Sequence, residues 1–146
     1  MKVTGVSLAN RGAAGSDILD GHLEFDYGRY PENDGLGAVN AFTEPIVRLP
    51  KTVTTKTVKF VVDKVSDAVG DAGLALFEVQ YTDPQKEDLA TLTVTCSAEH
   101  PGGKQFLCTN ALRDVPGYWW TPEDQATGAW IELALSVKAK PVLLKG

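Results

Sequence analysis

The sequence predicts an all-β protein, a single antiparallel β-sandwich of jelly-roll or immunoglobulin-like type with about eight strands and at most one or two short helical turns. Three observations predict it. Apolar residues recur at every second position in short runs along most of the chain, the period of a half-buried strand. Clusters rich in Gly, Pro, Asn and Asp separate those runs. Helix-compatible patterns are confined to two short stretches. With 146 residues the chain reads as one domain, 1–146, long enough to bury a real core. Alternation alone does not choose between the two sandwich topologies.

Residues 3–9 form a short alternating run. Residues 21–27 alternate clearly, with Leu23, Phe25 and Tyr27 on one face and His22, Glu24 and Asp26 on the other. RYPENDGLG, residues 29–37, is turn-forming throughout and reads as loop. Residues 42–49 are strand-like but carry Pro45, which suits an edge strand or a bulge because proline has no N–H to give a ladder. Residues 52–62 are rich in β-branched side chains and offer Val58, Phe60 and Val62 to a core. Ala75, Phe77, Val79 and Tyr81 make a further apolar face, as do Ala90, Leu92, Val94 and Cys96. In the last run Ile131, Leu133, Leu135 and Val137 point in, and Trp130, Glu132, Ser136 and Lys138 point out.

A turn or two of helix is expected at 63–73, weakened by Gly70 and Gly73, and at 121–128. In the second stretch Thr121 suits an N-cap, Pro122 the first helical position, and Glu123 and Asp124 the positive helix end. Three segments are expected to be irregular: residues 10–20, residues 28–41 and an extended tail at 140–146.

Composition narrows the function classes. At 43% apolar and 23% charged residues the chain is neither a disordered tail nor a coiled coil. The formal net charge is −5, and Lys and Arg form no cluster beyond residues 51–59. That argues against nucleic acid and anionic membranes as partners. No apolar run approaches the roughly 18 residues of a membrane helix. The first residues lack a continuous apolar stretch, so no signal peptide is read, and synthesis in a cytoplasm is expected.

His100-Pro101-Gly102-Gly103 is a strong turn signal. A hairpin centred on Gly102 would set Cys96 opposite Cys108, on an inward face shared with Val94 and Phe106, near enough for a disulfide. The closed loop is short, so the gain is about 3 kcal/mol at best. The competing reading is a pair of reduced core cysteines, which a cytoplasmic chain favours. A particle assembled inside a cell and released from it would oxidise the pair later. Two cysteines with no third or fourth ligand do not make a zinc site.

Candidate catalytic groups are sparse. His22-Leu23-Glu24, with His100 downstream, has the His-x-carboxylate…His order of a non-haem iron triad. An exposed polar strand face explains the same residues. Asp63, Asp67 and Asp71 recur every four residues, but they lack the glycine and terminal glutamate of an EF-hand loop, and a solvated loop accounts for them. The metal expectation is therefore none, with His22, Glu24, Asp63, Asp67 and Asp71 as weak candidates. Two histidines and no nucleophile elbow leave little material for covalent catalysis. No cofactor is expected.

PGYWWTPED, residues 116–124, packs Tyr118, Trp119 and Trp120 together in a pattern of neither strand nor helix period. With Trp130 they offer four large rings near one end or face of a sandwich. Neighbouring side chains on an extended chain point opposite ways. One ring is expected inside and at least one outside, as a protein-contact or sugar-stacking surface. Val142, Leu143 and Leu144 follow Pro141 as an apolar tail suited to assembly.

These features favour a non-enzymatic structural subunit of a larger particle, for example a virion decoration, capsid or tail component. Its partners would be other protein subunits, as a homo-oligomer or on a host particle surface. The alternative is a lectin-like module binding glycans on an aromatic platform, and a more remote one is a small metal-dependent jelly-roll enzyme.

Overall fold

The computed structural model describes residues 2–10, 18–26, 28–29, 46–66, 71–82, 87–113, 115–122 and 124–139. They form nine strands: β1 (Lys2–Asn10), β2 (Ile18–Phe25), β3 (Gly28–Arg29), β4 (Ile46–Thr54), β5 (Thr57–Val65), β6 (Gly73–Tyr81), β7 (Glu87–Cys96), β8 (Trp119–Trp120) and β9 (Trp130–Ala139). Two antiparallel sheets result, a four-stranded one in the order β4-β1-β6-β8 and a five-stranded one in the order β3-β2-β5-β9-β7. They pack face to face over one core, so the all-β sandwich is present. From β4 onward each strand lies in the sheet opposite its predecessor. Sheet pairing is therefore mostly non-local, and among the described residues only β2 and β3 form a hairpin within one sheet.

The core draws Val3, Val6, Leu8, Leu74, Phe77 and Val79 from one sheet and Leu23, Phe25, Val58, Phe60, Val62, Ile131 and Leu133 from the other. Each large side chain taken out of water there contributes about 1.5–3 kcal/mol. Val94, Cys96 and Leu135 are only partly buried against it. Simple alternation fails at two places. The β1 ladders shift between Val3 and Gly5, and the β1–β6 ladder shifts again between Ala9 and Asn10. A bulge adds one residue and reverses side-chain parity. Val3 and Val6 therefore both reach the core, as do Leu74 and Phe77, while Ala75 is only half-buried.

The run 52–62 is two strands, not one. It breaks at Thr55 and Lys56, where the chain passes from the four-stranded sheet to the five-stranded one. The buried Thr55 hydroxyl lies 2.7 Å from both Asp26 Oδ1 and the Thr57 carbonyl oxygen, and Asp26 Oδ2 accepts the Lys56 N–H at 3.2 Å. These bonds replace ladder partners at the crossing. β4 begins directly after Pro45 and is an edge strand, with Pro50 inside the interval where its register to β1 shifts.

Neither stretch expected to be helical is helical among the described residues. Asp63 belongs to β5, and Asp71 and Ala72 lead directly into β6. Thr121 caps no helix. Its N–H donates to the Ala72 carbonyl at 2.8 Å and its Oγ1 accepts the Ala72 N–H at 3.0 Å, which prolongs the β6–β8 ladder. Separate turns follow, closed by Gln125 N–H to Pro122 O and Ala129 N–H to Ala126 O. The competing use of the threonine hydroxyl, in a cross-strand pair, won over the cap. Two 3-10 turns occur instead at Lys104–Phe106 and Cys108–Ala111.

Of the segments expected to be irregular, Asn10 and residues 18–20 are strand, and Gly28 and Arg29 pair with β2. Residues 11–17 and 30–41, and the tail 140–146 with Val142, Leu143 and Leu144, lie outside the described residues, as does Asp67. Among the described residues no helix is long and apolar enough to cross a membrane.

Candidate functional site

β8 and residues 96–111 close one end of the sandwich. Trp119 points inward and is 0% exposed, with its indole N–H donating to the Ala98 carbonyl at 2.9 Å. Tyr118 and Trp120, on either side of it, are half-buried. Trp120 stacks on His100, with centroids 4.7 Å apart and planes 20° from parallel, and meets Phe106 edge-on at 4.8 Å. Tyr118 lies 5.9 Å from Phe106 and 6.3 Å from Trp120. The His100 N–H also donates to the Trp120 carbonyl at 2.7 Å, tying the segment after β7 to β8. The outward ring is therefore not bare: His100 and Phe106 cover part of it. Gly117, at φ 96°, turns the chain into this run, and a Cβ there would press on Asn110 Nδ2 and the Gln105 carbonyl, each 3.2 Å away.

Trp130 does not join this group. It begins β9 opposite Val61 of β5, and Lys59 Nζ sits 4.6 Å from its ring centroid. Lys59 also pairs with Glu132 at 3.8 Å. Trp130 has the outward parity its strand position implies, but on the five-stranded sheet, so the four rings are split between two places and the core.

Cys96 and Cys108 are joined by a disulfide, with Cα atoms 6.3 Å apart. The route is not a hairpin. Cys96 ends β7 opposite Ile131 of β9, and Cys108 begins the second 3-10 turn. Phe106, expected on a partner strand, lies in the first 3-10 turn. Glu99 comes with them: its Oε2 accepts the Cys108 N–H at 2.8 Å. The Cys96-x-x-Glu99 spacing is the one sequence signal for this third group.

His22 is 6% exposed, although its strand face was expected to be solvated. Its Nδ1 lies 2.7 Å from Asp63 Oδ2 and its Nε2 2.8 Å from Glu24 Oε2. Each nitrogen thus faces a carboxylate, and His100 stands apart, stacked on Trp120. The His22–Glu24–His100 set is not assembled. Asp71 is buried before β6. Among the described residues the grouping with metal-ligand spacing is Cys96, Glu99 and Cys108, not Asp63 with Asp71.

Sequence reasoning missed a groove of about 340 Å³. Phe77, Val79 and Leu133 form its floor, and Tyr81, Leu112 and Val115 its apolar walls. Glu78 and Arg113 stand at its rim, joined through Arg113 Nε and Glu78 Oε2 at 2.6 Å. β8 pairs with β6 only at Gly73 and Leu74, so the rest of that β6 edge has no ladder partner among the described residues. The parity of Phe77 and Val79 was readable, but not the placement of residues 112–115 beside them.

Comparison of the chain with protein-family models, with curated proteins and with solved structures gives no match.

Proposed function

We propose that this chain is a non-enzymatic structural subunit that works through protein–protein contacts within a larger particle. The carrying observation is the groove beside β6. Two large apolar side chains are exposed among the described residues, Leu19 and Val115, each at 37%, and Val115 stands on the groove wall. An apolar trough next to an unladdered strand edge accepts an extended segment, which gains main-chain bonds from the edge and side-chain burial from the trough. The occupant of this reading is a segment of a second copy of the chain.

The test is absolute mass by light scattering after size exclusion, over a tenfold range of concentration, for the native chain and Val115→Asp. A multiple of 15.7 kDa that falls toward the single-chain mass in Val115→Asp is the expected result. A monomer at every concentration overturns the homo-assembly reading.

A second reading, a glycan-binding module, is favoured by the half-buried rings of Tyr118, Trp120 and His100, which pack against the buried Phe106. Rings with polar edges stack on sugar faces. Tryptophan fluorescence that shifts on titration with sugars, and no longer does so in Trp120→Ala, would support it.

A further inference from the structure

We propose that reduction of the Cys96–Cys108 disulfide opens a zinc site built from the two cysteine sulfurs and the Glu99 carboxylate. One ligand atom from each residue lies within 4.8 Å of the other two. Thiolate pairs select zinc and similar borderline-soft ions over magnesium or calcium. In tetrahedral geometry with Zn–S bonds of about 2.3 Å, the two sulfurs stand about 3.8 Å apart. The Cα separation of 6.3 Å permits that spacing through side-chain rotation, without moving either backbone.

The frame around the three groups is well tied. Cys96 is held in the β7–β9 ladder, and the next residue is clamped twice: Ser97 N–H donates to the Trp130 carbonyl at 2.9 Å, and Ser97 Oγ accepts the Trp130 N–H at 3.0 Å. Cys108 is buried, and its N–H orients the Glu99 carboxylate. A carboxylate has lone pairs enough for that bond and a metal bond together. Glu99 is exposed and Cys96 half-buried, so solvent reaches the fourth position. Three protein ligands and water make an open zinc site.

A thiol reductant cleaves the S–S bond by exchange, ends as its own disulfide and leaves two cysteine thiols. Zinc then displaces the two thiol protons. The metal takes over as the staple, so residues 97–107, which carry His100, stay closed on Trp120 in either redox state. This inference does not depend on the assembly reading, because no groove residue takes part.

The test uses the full chain, oxidised or reduced with a non-chelating phosphine, loaded with Zn2+ and desalted. One zinc per reduced chain and none per oxidised chain is expected, and Co2+ in place of Zn2+ should give strong thiolate-to-cobalt absorption. Glu99→Gln keeps an oxygen acceptor for the Cys108 amide. It should bind zinc at least roughly tenfold more weakly, since even loss of an outer-shell partner costs that much. Equal uptake in both redox states overturns the proposal, as does no uptake by the reduced chain. So does unchanged affinity in Glu99→Gln, or a reduced chain that loses its β-sheet circular dichroism and does not regain it with zinc.

Discussion

The Trp120 indole lies nearly parallel to the His100 imidazole, 4.7 Å away, while the backbone N–H of His100 donates to the Trp120 carbonyl at 2.7 Å. Ring stacking and a main-chain bond thus link the same two residues, one in the segment that follows β7 of the five-stranded sheet and one in β8 of the four-stranded sheet. The aromatic run is a closure of the sandwich end, with its outer rings half open to solvent.

Trp119 and Trp120 should therefore respond differently to truncation. Trp119→Ala removes a fully buried indole and the bond to the Ala98 carbonyl, and should lose about 3–5 kcal/mol in chemical denaturation. Trp120→Ala should lose clearly less, because one side of the ring already meets water. Equal losses at the two positions would contradict this division.

The His22–Asp63 pair ties β2 to β5 on the outer face of the five-stranded sheet, at 2.7 Å. Asp63→Asn weakens a charge-assisted bond to a buried ring and should lose about 1–3 kcal/mol. His22→Leu removes the shared partner of both carboxylates and should lower the denaturant midpoint further than Asp63→Asn does. A Leu variant as stable as the native chain would show that the pair adds nothing net, an outcome known for buried ion pairs.

Asp26 has its carboxyl pKa held below the usual value, first by the Thr55 hydroxyl and then by the Lys56 backbone N–H. A depressed folded-state pKa adds stability above the unfolded-state pKa, and that stability is lost as pH falls through the folded-state value. The loss should therefore fall below about pH 4. Thr55→Val should move the Asp26 titration upward, toward the ordinary carboxyl value, as read by carboxyl-carbon NMR. An unmoved titration would assign the depression to the Lys56 and Asp26 amides and the Lys56 charge instead.

Gly21 is required by a close approach. A Cβ there would overlap the Phe60 ring edge and come within 2.8 Å of the Val61 carbonyl oxygen. Gly21→Ala should cost roughly 1–3 kcal/mol through overpacking. Adding Phe60→Leu, which removes the ring, should recover part of that loss in a double-mutant cycle.

Much of the fold was legible from sequence. Alternation marked Leu23 and Phe25, Val58 to Val62, and Ile131 to Leu133 as inward, and the structure buries them. Those runs lie in regular ladders, where a period of two maps directly onto the two sheet faces. Alternation was less informative in β1 and β6, because a bulge depends on how a partner strand pairs and leaves no local mark. The helical turn at Thr121 failed for a related reason: a cap signal is local, and a distant Ala72 offered the same hydroxyl a better use.

The sequence by itself determined the all-β class, the inward faces of the regular strands, and the placing of one tryptophan of the adjacent pair inside. The tertiary structure decided what each side chain meets. It buried His22 between Asp63 and Glu24, brought Glu99 to the two cysteines, separated Trp130 from the other rings, and set Val115 beside Phe77 and Val79. Periodicity is a property of neighbours along the chain. These meetings join strands distant in sequence, and only the order and register of the two sheets bring them about.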